Sequence, residues 1–238
     1  MRIDNHIIDS PDERRQELTA ATQRLLGDTI TLGDSDWQVL TTLPGWSRAH
    51  LATHLARQAQ ALTEMAQQIV RTGQPVTWRT LHTDIDLNSG SRRGALELQE
   101  ALDQSSAALM NAFDQMNEAA WATTLRTSQG SLPASTLIVD RLNEVVIHHA
   151  DLGLSFELSD TEPGLTRMLL EWNLFRATPR FTQVKLKVVS DQGYCAVVGK
   201  GPLVTVRGSE TSLLGWITGR KDSSVVLGAE ELDLAGPL

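Results

Sequence analysis

The sequence predicts an α+β protein made of a four-helix bundle followed by a smaller α+β domain. Three observations carry this expectation. Apolar residues recur at helical spacing in four long segments before Gly153. After Gly153 the texture changes to short β-branched runs separated by glycines. With 238 residues and 41% hydrophobic content, the chain can bury one large core or two smaller ones. The change of texture sets the expected domains at 1–155 and 156–238.

The elements follow in order. Ser10, Pro11 and Glu13 combine an N-cap residue, proline at the first helical position and an acid at N3. Leu18, Ala21, Leu25 and Leu26 continue that helix to about Gly27. After a loop through Gly33 and Asp34, the stretch Leu43-Pro44-Gly45-Trp46-Ser47 makes a turn ending in an N-cap, and a second helix carries His50 and His54 to a stop at Thr72-Gly73. Pro75 to Gly90 reads as irregular and polar; Leu96, Leu102, Leu109 and Phe113 mark a third helix ending near Asn117. A loop through Trp121 and Gly130 leads to Pro133, the expected start of a fourth helix that stops at Gly153 and carries Arg141, Glu144, His148 and Asp151. Four such helices suggest a bundle. Pro163-Gly164 opens one more helix to about Arg176. Val184–Ser190, Tyr194–Gly199 and Leu203–Gly208 read as strands, Glu210–Gly219 as helical, and Ser224–Leu227 as a last strand.

Composition excludes several classes of function. The chain has 29 acidic and 21 basic residues and a formal charge of −8, with no basic cluster to track phosphates, which argues against nucleic acid as a partner. No apolar run approaches a membrane span. Cys195 is the only cysteine, and the sequence Met1 to Arg15 has no export pattern, so the expected compartment is the cytoplasm without disulfides. One cysteine cannot build a thiolate-rich metal site either, which leaves histidine and carboxylate ligands. Within its predicted strand Cys195 reads as a packed structural thiol, and Trp46 and Trp78 read as core residues.

The most informative pattern is Glu144-x-x-x-His148 together with His50-x-x-x-His54. Residues four apart stack on one helix face, so Glu144 and His148 can grip one ion while a histidine of another helix supplies a third ligand. Three protein ligands and a free position describe a catalytic zinc site. The bland alternative is hydrogen-bonded core histidines. Glu144 is harder to treat that way, because Val145, Val146 and Ile147 make its surroundings apolar and an unpaired buried carboxylate costs several kcal/mol. Spacing alone does not choose between His50 and His54. Asp151, three residues past His148, either orients that ring or caps the helix end, and His149 points about a hundred degrees away from His148.

The segments Leu43 to Ala56, Arg141 through Glu144 to His148, and Ala150-Asp151-Leu152-Gly153 resemble the mycothiol-dependent maleylpyruvate isomerase family. The likeness extends to Gln129-Gly130, Pro133-Ala134-Ser135 and Gly208 through Arg220. It implies a DinB-like metal-binding bundle joined to a domain similar to sterol carrier proteins. It makes His54 rather than His50 the first zinc ligand, with Glu144 and His148 as the others and water as the fourth. It also implicates Arg220 as the holder of a substrate carboxylate, although a cation after a helix C-terminus is common for structural reasons. A second arginine of the family has no clear counterpart in Arg79-Thr80-Leu81-His82-Thr83-Asp84.

The activity implied is isomerisation of maleylpyruvate to fumarylpyruvate, with zinc as metal and mycothiol as thiol cofactor. Two other readings stand beside it. A mycothiol S-transferase would use the same site on other electrophiles, and a non-catalytic DinB-like protein would use its metal for structure. The partners expected are a small-molecule substrate and a low-molecular-weight thiol.

Overall fold

The structure is a computed structural model that describes residues 10–78, 87–229 and Leu232. The chain forms two compact units, one of them Ile8–Phe156 and the other including Glu157–Leu238. In the first, four long helices pack in a closed ring: α1 (Pro11–Thr29), α2 (Arg48–Thr72), α3 (Ala95–Asp114) and α4 (Thr136–Asp151). Helix α2 lies against α3 and α4, and α1 lies against the same two helices. Leu51, Leu55, Leu62, Leu102, Leu109, Phe113, Leu137, Leu142 and Val145 fill the space between them.

Local chemistry sets the helix ends. Pro11 starts α1 at a position where the missing N–H costs nothing. Gly27 does not stop it. A glycine inside a helix costs only about 1 kcal/mol, and burial of Leu25 and Thr29 carries the helix to its end. Ser47 caps α2, and Gly73 ends it in the left-handed conformation at φ 61°, which a side chain would disfavour. Helix α3 ends at Asp114, short of the expected Asn117. The Asn117 side chain instead accepts from the Ala120 N–H and starts a separate turn, Glu118–Trp121. Two more single-turn helices, Asp34–Trp37 and Leu87–Gly90, occupy stretches that read as loop.

Pro133 is not the start of α4. It ends a strand, and the helix begins at Thr136, whose hydroxyl donates to the Pro133 carbonyl at 2.7 Å. The expected loop through Trp121 and Gly130 contains β2 (Thr124–Thr127) and β3 (Gly130–Pro133), an antiparallel hairpin. Strand β1 (Val76–Thr77) joins β2 in parallel.

In the second unit, helix α5 (Pro163–Ala177) packs on α6 (Glu210–Ile217), and α6 packs on β6. Strands β4 (Lys185–Ser190), β5 (Cys195–Gly199) and β6 (Leu203–Gly208) form a sheet in the order β5-β4-β6. Strand β4 runs antiparallel to β5 and parallel to β6, and Leu186, Val188, Val198 and Val206 are the buried apolar residues of the sheet. The strand expected at Ser224–Leu227 is instead a 3-10 turn, Ser223–Val225, followed by one bridge from Leu227 to Arg207. Asp222 drives that turn by accepting from the Ser224 N–H at 2.8 Å. Among the described residues no helix is long and apolar enough to cross a membrane.

Candidate metal centre

Helix α4 is buried at every position except Ala150. That would suit an apolar helix, yet Asp140, Arg141, Asn143, Glu144, His148, His149 and Asp151 are all among its buried side chains. Burying so many polar groups costs several kcal/mol each unless partners replace the water they lose. The pairings they find define the site.

Glu144 and His148 lie one turn apart on α4, and His54 projects from α2. Glu144 Oε2 is 3.0 Å from His54 Nε2 and 3.2 Å from His148 Nε2. The two imidazoles meet edge to face, with ring centroids 4.9 Å apart. All three side chains are buried, and one ligand atom from each falls within 4.8 Å of the others. On its other side His148 Nδ1 is 2.8 Å from Asp151 Oδ2. Burial, the largest influence, lowers the pKa of His148, but hydrogen bonds and negative charge from Asp151 and Glu144 outweigh it and hold the value above the ordinary one. Asp151 is therefore a partner of His148 as well as a helix-end residue.

His50 is occupied elsewhere. It stands at the third position of α2, where its Nδ1 accepts from the Ser47 N–H at 3.1 Å and lies 2.8 Å from Ser47 Oγ. This is a capping box with histidine in the place usually held by glutamate. Accepting at Nδ1 assigns the proton to Nε2, which faces Asn88 Oδ1 and Ser91 Oγ. His149 turns away from His148, as the helical period requires, and its Nε2 pairs with Asp28 Oδ2 at 2.9 Å while its ring stacks on Phe156.

The other sequence expectations fall as follows. Arg220 belongs to the second unit, just past α6, where its Nη1 donates to the Thr218 carbonyl. Trp46 is half-buried rather than a core residue, with its ring 5.4 Å from that of His54. Trp78 is also only half-buried. Cys195 is exposed, contrary to the packed thiol expected: it begins the edge strand β5, where Val197 is exposed as well and Val198 is the buried residue. The stretch Arg79 to Asp84, where the second family arginine was sought, lies outside the described residues.

The sequence placed Arg141 on the fourth helix and in a family-like segment but gave it no task. Arg141, 1% exposed, donates through Nη1 to the Leu55 carbonyl and to Gln58 Oε1, both at 2.8 Å, and through Nη2 to Ser106 Oγ at 3.3 Å. Gln58 Nε2 in turn donates to Asp140 Oδ2 at 3.0 Å. The available signal was an Asp-Arg pair inside an apolar helix, one turn before Glu144, facing a glutamine one turn after His54.

The residues at the centre fit zinc. Two imidazole nitrogens and a carboxylate oxygen are ordinary zinc donors, and ligand atoms on a tetrahedral ion stand roughly 3.4 Å apart. The 3.0 and 3.2 Å separations around Glu144 Oε2 are close to that spacing. With an ion on Nε2, the His148 Nδ1–H would donate to Asp151, the usual support for a metal-binding histidine.

Residues 18–153 match the family model described as the mycothiol maleylpyruvate isomerase N-terminal domain. Two crystal structures, of the mycothiol-dependent maleylpyruvate isomerase and of a histidine-to-alanine mutant of it, are each 23% identical to this chain. Each covers 96% of both chains with a TM-score of 0.78, a likeness of fold. No curated protein matches the sequence. More than half of the chain, including all three residues of the centre, lies in the matched region, and the protein belongs to the mycothiol maleylpyruvate isomerase family.

Proposed function

We propose that this protein is a zinc-dependent enzyme that uses mycothiol to convert maleylpyruvate into fumarylpyruvate. The observation that carries the reading is the convergence of His54, Glu144 and His148 inside a bundle matched by the family model. Those three residues would hold the ion and leave a fourth position for water, thiol or substrate. A bound zinc supplies Lewis acidity, polarising a carbonyl and lowering the pKa of a coordinated thiol.

The reaction needs little else from the protein than binding and orientation. The thiolate adds to the conjugated carbon–carbon double bond, whose electron pair moves onto the carbonyl as an enolate. The former double bond is then single and rotates. When the enolate collapses, the double bond reforms in the trans geometry and the thiolate leaves unchanged. Arg220 is proposed to hold a substrate carboxylate, for which its planar fork is suited. Asp151 keeps the His148 ring in one orientation. The cytoplasm, where small thiols stay reduced, is the compartment this chemistry suits.

Metal analysis of the purified protein, followed by an assay with and without mycothiol, tests the proposal. Stoichiometric zinc and thiol-dependent formation of fumarylpyruvate are expected. A protein that carries no zinc, or that isomerises equally well without thiol, would overturn it. The unmatched second arginine, in the Arg79 to Asp84 stretch, favours a second reading in which the thiol is transferred to another electrophile. A stable thiol adduct that never collapses to a geometric isomer would select that S-transferase.

A further inference from the structure

The cluster around Arg141 has no task in the chemistry above. Arg141 precedes Glu144 by one turn of α4, and Gln58 follows His54 by one turn of α2. The guanidinium reaches three groups on two other helices: the Leu55 carbonyl and Gln58 Oε1 on α2, and Ser106 Oγ on α3. Leu55 is the residue next to His54, so the bond from Arg141 grips the α2 backbone beside the ligand itself. Gln58 uses both ends of its amide, accepting from Arg141 and donating to Asp140, which fixes how it is turned.

We propose that Arg141 is a positioning residue for the metal centre: by gripping α2 at Leu55 and Gln58 it sets the separation and register of α2 against α4, and so the place of His54 Nε2 relative to Glu144 and His148. The inference rests on the metal reading of those three residues. Stability alone is a poor reason for such a group, because apolar residues of similar volume commonly replace buried ion networks without loss. Geometry is a better one. A planar fork with fixed donors ties two helices at a set spacing through directional bonds, whereas apolar packing is non-directional. A lysine keeps the charge but loses the fork.

Arg141→Lys and Gln58→Met, each beside the unaltered protein, test the inference with cobalt and zinc. The probes are the visible absorption of the cobalt-loaded protein and zinc affinity by chelator competition, with circular dichroism to establish folding. Zinc binding weakened about 10- to 100-fold, with altered cobalt bands in folded variants, is the expected result. Should Arg141→Lys fail to fold, Gln58→Met, which keeps the arginine, decides the matter. A fastening role of no consequence to the metal would lower the melting temperature and leave cobalt bands and zinc affinity unchanged, which overturns the inference. Failure of the unaltered protein to take up cobalt would instead overturn the metal reading, and this inference with it.

Discussion

His54, Glu144 and His148 meet because two helices bring them together, with Glu144 Oε2 shared between the two imidazoles. His54→Ala removes the one ligand proposed on α2 and is expected to strip the metal with most of the activity; retained zinc at full turnover would refute the ligand assignment. Asp151→Asn keeps the shape beside His148 Nδ1 and removes the charge, so zinc affinity should fall about 10- to 100-fold with the fold intact. Arg220→Ala should keep its zinc and lose substrate affinity or rate; unchanged steady-state kinetics would remove it from the mechanism. The Glu144 and His148 pair was legible in the sequence because four-residue spacing on a helix is itself geometry. Spacing alone did not choose between His50 and His54, and it was the family resemblance that pointed to His54. What separates them is position: His50 stands at the third residue of α2 and is consumed by the Ser47 cap, while His54 is a full turn further in.

At the scale of elements, the long helices were readable from their apolar periodicity, with end signals that held at Pro11, Ser47 and Gly73 but not at Gly27 or Pro133. The small sheet of the bundle unit was not. Strand β1 has two residues and pairs in parallel with residues of β2 that come 49 positions later, Val76 with Leu125 and Thr77 with Arg126, so no local pattern announces the pairing. Pro133 misled for a related reason, since proline suits the edge of a strand as well as the first turn of a helix. Another element with a weak signature is the turn Leu87–Gly90, which packs on α2. A Cβ at Gly90 would stand 2.3 Å from Thr53 Cγ2 and 2.9 Å from Thr53 Oγ1. Thr53 cannot yield easily, because it is buried and its hydroxyl donates to the Ala49 carbonyl at 2.8 Å. Gly90→Ala should therefore destabilise the protein by about 1–3 kcal/mol. An unchanged denaturation midpoint would show that the turn moves away freely.

For the whole molecule, the metal is expected to act as a stabilising ligand. A site that binds only the folded chain adds about 4 kcal/mol when free metal exceeds Kd a thousandfold, so chelation should lower the melting temperature and one equivalent of zinc should restore it. The effect should depend on pH. In the metal-free protein the raised pKa of His148 adds stability below about pH 6.5 that is lost as pH rises through the folded value. Zinc needs that imidazole without its second proton, so its stabilising effect should be larger at pH 8 than at pH 6, and calorimetry at the two values checks the sign. Arg48, at the first residue of α2, donates through Nε to the Leu152 carbonyl at 2.7 Å and through Nη2 to the Gly153 carbonyl at 3.1 Å, both at the end of α4. A carboxylate is unwelcome at a helix C-terminus, and Asp151 is one; the cation brought from α2 offsets it. The first residue of α2 thus completes the end of α4 from about a hundred positions away in sequence.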